Sequence, residues 1–232
     1  MDKETNIFFF KTLVGSQAHG LATPESDRDY RGVFIQPTGE ILSLGSKPRT
    51  TSWFEGDEDN TSWELGHFLN LATKCNPTVL EVFFAPVESV NAELNQDYKE
   101  LMELFPHLWN SKGVKDAFMG YGYSQRKKLL ENKDNRSHKY ASAYLRVLIQ
   151  AKELLSTGQF RVDFRGHPQY EYIKSVKTQN SDNGFDISLG AIINKCSELE
   201  KAVEDAFTAN PAKETDVAKA NAFLLKVRKN HM

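Results

Sequence analysis

The feature that most constrains this chain is GSQAHGLATPESDRDYRGVF, Gly15 to Phe34, where a Gly-Ser pair, a second glycine and an Asp-x-Asp sit between two apolar runs. Upstream, IFFFKTLV (Ile7–Val14) is rich in aromatic and β-branched residues and too short for a long helix, so it reads as a buried strand ending at Gly15. Downstream, DYRGVFIQP reads as a second strand, with Pro37 and Gly39 marking the turn after it. Side chains alternate along a strand, which would put Asp27, Asp29 and Arg31 on one side, the two carboxylates about 6–7 Å apart at the backbone. That spacing suits a pair of metal ions roughly 4 Å apart. Magnesium fits such a donor set, since it takes hard oxygen ligands, needs one or two carboxylates and fills its other positions with water and phosphate. Gly15 and Ser16, at the end of the neighbouring strand, offer close backbone approach, amides and a hydroxyl to phosphate oxygens. The competing reading is a solvated turn in which Ser26 or Asp27 bonds its own backbone, the commonest fate of SDRD between strands. The combined order of strand, Gly-Ser, Gly, Ser-Asp-x-Asp and strand weighs against that being all.

The remainder of the chain sets the frame. Its 232 residues, 40% hydrophobic and 11% aromatic, suffice for a real core in one domain or two small ones. A net charge of −2 does not steer the molecule to nucleic acid or an anionic membrane, so such binding needs a local patch. No apolar run approaches the roughly 20 residues of a membrane span, and MDKETNIFFFKTLVGS lacks the basic start and long apolar middle of a secretory signal. The chain therefore reads as soluble and cytoplasmic, with Cys75 and Cys196 as buried reduced thiols.

TTSWFEG reads as a third strand and the acidic EGDEDN after it as a loop or strand edge. From Trp63 the apolar residues Leu65, Phe68, Leu69 and Ala72 recur at helical spacing, and Asn76-Pro77 stops that helix. TVLEVFFAP is a short apolar helix or a strand. Beyond Pro86 the pattern is helical almost to the end, with stripes in DYKELMELFPHLW, VKDAFMGYGYSQRKKLL, HKYASAYLRVLIQAKELLSTG, SLGAIINKCSELEKAVEDAF and VAKANAFLLKVRK. Asp163 to Phe185 mixes turn residues with a helix-like YEYIKSV. The expected architecture is an α+β part, residues 1–95, followed by a helical part, residues 96–232.

GSQAHGLATPESDRDYRGVF closely resembles the signature of the DNA polymerase beta superfamily of nucleotidyltransferases, which reads Gly-Ser, a later Gly, then Asp-x-Asp. More narrowly it resembles the RlaP-related predicted nucleotidyltransferases associated with RNA repair ligases. WELGHFLNLATKCNPTVLEVFFAP, FMGYGYSQRKKL and HKYASAYLRVLIQAKELLSTGQF resemble that subgroup's later segments, so the likeness covers most of Phe8 to Phe160 and, more loosely, the helices to about Phe207. It implies a polymerase-beta-like domain, a small mixed sheet with helices, followed by a helical domain closing the cleft. The implied reaction moves a nucleoside monophosphate from a nucleoside triphosphate to a hydroxyl, an RNA end before other acceptors, with release of pyrophosphate.

By the same resemblance, Asp27 and Asp29 would ligate two magnesium ions, with manganese as a substitute, and Gly15 and Ser16 would hold the β and γ phosphates. Gly20 would let the loop turn. A third carboxylate is expected on a neighbouring strand: Asp59 first, with Glu64 and Asp57 as alternatives. Where the subgroup leads one to expect a lysine after Glu-Leu, this chain has Gly66-His67.

Arg31 would either reach a phosphate or pair with a neighbouring aspartate, and His19 would either touch triphosphate or shape the loop. The basic residues Arg126, Lys127, Lys128, Arg136, His138, Lys139 and Arg146 would form a solvated helix face or, if the helices fold over the cleft, guide a polynucleotide or the triphosphate. Of these, Lys139 and Arg146 are the pair to test. Tyr121 and Tyr123 would pack, or stack on a base. Glu81, in an apolar stretch, would bond a helix end or face the cleft. The alternative function is a regulator that binds nucleotide or nucleic acid on the same fold without turnover.

Overall fold

The computed structural model describes residues 6–46, 50–52, 60–210 and 213–232, with the backbone alone at Ser52. In chain order it contains β1 (Ile7–Val14), α1 (Gly15–Ala18), β2 (Asp29–Ile35), α2 (Thr38–Leu42), β3 (Thr51–Ser52), β4 (Thr61–Glu64), α3 (Leu65–Thr73), α4 (Pro77–Val82) and β5 (Val87–Val90). There follow α5 (Asn95–Glu103), α6 (Phe105–Leu108), α7 (Ser111–Glu131), α8 (Ser137–Thr157), α9 (Tyr170–Thr178), α10 (Leu189–Ala209) and α11 (Val217–Asn230). The protein is thus α+β, with one mixed sheet in the order β3-β4-β2-β1-β5 among the described residues.

β1 and β2 are the antiparallel centre of the sheet, and their register pairs Val14 with Asp29. A bulge between Phe8 and Phe10 breaks the alternation, so that Phe9 and Phe10 are both fully buried and meet edge to face at 5.3 Å. β4 lies parallel to β2, Arg31 opposite Thr61.

Three sequence expectations need correction or completion. Trp63 belongs to β4, and the helix begins only at Leu65; β4 is nearly continuously buried, as strands in parallel pairs are, and shows no alternation to read. Val87–Val90, expected to be helical, is β5, an edge strand with Val87 and Glu88 exposed that owes its form to pairing with β1. TVLEVFFAP resolves as α4: Asn76 accepts from the Thr78 and Val79 amides at 3.0 and 3.2 Å, and Pro77 occupies the first turn. Of the expected third strand only residues 50–52 fall among the described residues, and Thr51–Ser52 forms β3.

α7, α8 and α10 pack together, and α8 is buried on several faces before Gly158 ends it in the left-handed conformation. α11 returns to α3, α5 and α6. Its end is stitched to the chain after β2: Thr38 Oγ1 donates to Arg228 O at 2.7 Å, and Arg228 Nη1 to Gln36 O at 3.0 Å. Arg228 also pairs with Glu64, and both are largely buried. Cys75 and Cys196 are buried free thiols, their pKa values raised by burial, that of Cys196 to about 12.

Removing Arg228 would leave Glu64 buried with, among the described residues, only the Gly66 amide as side-chain partner. Arg228→Met should therefore cost about 3 kcal/mol in urea unfolding, and Arg228→Met/Glu64→Gln should recover much of it.

Candidate active site

Because Val14 faces Asp29 across the ladder, the chain leaves β1 beside the first residue of β2. Gly15 turns there at φ +68°, and a Cβ on it would run into Asp29 Oδ2, so only glycine lets loop and carboxylate approach this closely. Leu21 N donates to Ser16 O at 2.9 Å and closes the loop. Ser26 Oγ accepts from Thr23 N at 2.8 Å, so this serine does make a local turn bond, while Asp27 and Asp29 face an open cleft. β2 starts only at Asp29; Asp27 is exposed in the loop before it and reaches the cleft through the loop rather than by strand alternation.

The cleft has a volume of about 530 Å³. One wall carries Gly15, Ser16, His19, Glu25, Asp27 and Asp29; the other carries Arg136, His138, Lys139, Ser142 and Arg146 from α8 and its approach, with Lys177 from α9. A carboxylate rim thus faces a cationic wall. α9 and the chain before it also clamp the loop: Phe164 N donates to His19 O at 3.1 Å and Tyr170 Oη to Gly20 O at 2.9 Å. Gly20 has φ +69°, and a Cβ there would lie 2.6 Å from Arg165 Cγ and 2.9 Å from Asp163 Oδ1.

Behind the loop sits Glu81 of α4, buried. Its Oε1 meets His19 Nε2 at 2.8 Å, its Oε2 lies 3.9 Å from Arg146 Nη1, and the Gly15 amide also favours its charged form. Burial by itself would raise the Glu81 pKa, but His19, Arg146 and the Gly15 amide outweigh it and hold the carboxyl below its ordinary range. Burial, then the Arg146 charge, lower the pKa of His19 despite Glu81. Glu81 is therefore anionic, and the Nε2 side of the His19 ring is committed to that carboxylate.

Of the residues singled out in the sequence, Gly15, Ser16, His19, Asp27, Asp29, Lys139 and Arg146 all line the cleft. Gly20 and Arg31 do not: Gly20 is covered by Arg165, and Arg31, two residues further into the sheet, donates Nη1 to Tyr30 O at 2.9 Å. Asp57 and Asp59 lie outside the described residues. Glu64 caps α3 through the Gly66 amide at 2.7 Å, pairs with Arg228 and does not line the cleft. Among the described residues no group of three His, Cys, Asp or Glu could hold a metal. Asp27 and Asp29, which both line the cleft, are hard oxygen donors of the kind magnesium takes, its other positions going to water and phosphate.

Lys177 and Glu25 were not anticipated. Lys177 sits beyond the YEYIKSV pattern, in the segment where turn residues blur the periodicity, and only the packing of α9 on α8 carries it to the cleft. Tyr121 is part-buried against the core, Tyr123 is half exposed, and neither lines the cleft, nor do Arg126, Lys127 and Lys128.

A Gly-Ser turn leaving one strand beside the first carboxylate of the next is the layout of polymerase-beta-type nucleotidyltransferases, and the sequence comparison agrees with that class. The chain belongs to RlaP, the RNA repair pathway DNA polymerase beta family, whose model matches residues 2–179. It is 33% identical over 89 residues to an uncharacterised 38.9 kDa protein of the nrdC-mobD intergenic region of Enterobacteria phage T4; the match covers 34% of this chain and 26% of that relative. A nucleotidyltransferase-like protein of Exiguobacterium sibiricum, known from its crystal structure, is 10% identical with a TM-score of 0.30, covering 97% of this chain and 74% of its own. No helix among the described residues is long and apolar enough to cross a membrane.

Burial, then the like charges of Lys139 and Arg146, lower the Lys177 pKa to about 8, with Asp29 opposing them. In the metal-free protein its amine should be charged below that pH and lose its proton as pH rises through it, as followed by NMR of labelled lysine. Lys139→Met should move the midpoint up and Asp29→Asn should move it down.

Proposed function

We propose that this protein transfers a nucleoside monophosphate from a nucleoside triphosphate, ATP among them, to a hydroxyl acceptor and releases pyrophosphate. The observation that carries this reading is the single cleft in which Asp27, Asp29 and the Gly15–Ser16 turn face Lys139, Arg146 and Lys177. The acceptor oxygen forms a bond to the α phosphorus, the bond from that phosphorus to the β-phosphate bridging oxygen breaks, and the hydroxyl proton leaves to water. The Gly15–Ser16 turn holds the β and γ phosphates through the amide and hydroxyl of Ser16, with Gly15 giving the close backbone approach, while Lys139, Arg146 and Lys177 offset the charge of the tail and of departing pyrophosphate. Asp27 and Asp29 would hold two magnesium ions, which when bound supply Lewis-acid activation of the hydroxyl and charge neutralisation. His19 and Gly20 shape the loop, the role their bonds to Glu81 and Tyr170 support.

Asp59 is proposed as the third carboxylate. It precedes Asn60, whose Oδ1 accepts from Tyr30 N at 2.8 Å, next to Asp29. The division into a core, 1–95, and a helical part, 96–232, is supported by the cleft drawing one wall from each. An RNA end is the first acceptor to test, because the family is described by its RNA repair pathway.

Incubation with magnesium, each labelled nucleoside triphosphate and a panel of RNA, DNA, protein and small-molecule hydroxyls should give transfer. Asp27→Ala/Asp29→Ala should lower it at least about 100-fold, and Lys177→Met should raise the apparent KM for triphosphate about 10-fold. Binding of triphosphate without turnover across the whole panel would instead indicate a regulator on this fold.

A further inference from the structure

The roles given above do not call for Glu81, yet it is the most heavily engaged buried carboxylate near the cleft. Placing a charge in the interior costs several kcal/mol unless partners repay it. Each partner found here belongs to the cleft: the amide of Gly15, the ring of His19 at 2.8 Å and the guanidinium of Arg146 at 3.9 Å. Two come from the loop on the acidic side, the third from α8 on the cationic side. Arg146 has one further described contact that aims it, 3.5 Å from Nη1 to Gln150 Oε1. Asp97 shows what a merely structural carboxylate looks like in this molecule: its side chain is 11% exposed, like that of Glu81, but it pairs with Lys226 far along the fold and does not line the cleft.

We infer that Glu81 is a positioning residue for triphosphate: one carboxylate holds the Gly15 turn, the His19 ring and the Arg146 guanidinium together and so fixes the gap between the two walls. The inference rests on the nucleotidyltransferase reading. It deepens that reading by naming the group that spaces the site without touching substrate. Neutralising Glu81 at constant size loosens Arg146 on one wall and the Gly15–His19 loop on the other at once, so the two walls lose their common reference.

The test compares Glu81→Gln with Asp97→Asn, both confirmed as folded by circular dichroism at the assay temperature. Glu81→Met serves as a second variant, because it removes the charge and refills the space with apolar volume should Gln fold poorly. Magnesium-triphosphate affinity by calorimetry and steady-state transfer are both read. Glu81→Gln should weaken triphosphate binding about tenfold or more and speed hydrogen exchange at the Gly15 amide, while Asp97→Asn changes affinity less than about twofold. Equal affinity for wild type and Glu81→Gln, or equal losses in Glu81→Gln and Asp97→Asn, would overturn the inference. Wild type that binds but never transfers would sink the transferase reading alone, leaving Glu81 to be judged on affinity; wild type that does not bind triphosphate would overturn both.

Discussion

The end of the sheet and the helical layer meet at one buried carboxylate. Glu81 sits on a short helix whose start is fixed by Asn76 and Pro77, and from there it reaches His19 at 2.8 Å and the Arg146 guanidinium. In a low-dielectric interior such contacts are strong when complete and expensive when broken, so they hold loop and helix in one arrangement. The second constraint is steric. With no Cβ at Gly15, the first turn of the loop lies against Asp29, and the β1–β2 register makes that contact unavoidable once both strands form. Electrostatics from behind and contact from below thus fix the same few residues.

The electrostatics of the cleft differ from those of the chain. A molecule of net charge −2 concentrates Arg136, Lys139, Arg146 and Lys177 on one wall and Glu25, Asp27 and Asp29 on the other. Burial, and after it the repulsion of the neighbouring Lys139 and Arg146 charges, lowers the pKa of Lys177. On the proposed function, an anion bound between them would relieve that repulsion, and the acidic rim would disfavour a bare polyphosphate relative to one carrying divalent cations.

Much of this was legible in the sequence, and the parts that were not share a cause. β1 and β2 announce themselves through aromatic and β-branched runs bounded by glycine, and the residues between them carry the acidic half of the cleft. Lys139 and Arg146 were visible as a basic pair on a helix, but only the fold tells a cleft wall from a solvated face. β4 hides because a strand buried in a parallel pair shows no alternation, and β5 because an edge strand of four residues borrows its form from β1. Glu81 was visible as a charge in an apolar run, but its partners lie 62 and 65 positions away, beyond the reach of any local pattern. Lys177 follows a weak helical pattern among turn residues, and its place depends on α9 packing on α8.

The central claim is that the two walls form one triphosphate site. The most direct measurement is a crystal structure with magnesium and a nucleoside triphosphate analogue that cannot be cleaved at the α–β bridge. The account predicts phosphates between the Gly15–Ser16 turn and the side chains of Lys139, Arg146 and Lys177, with metal on Asp27 and Asp29. Nucleotide bound elsewhere, such as the apolar groove by Leu129, Val176 and Ile192, or metal that avoids both aspartates, would contradict it.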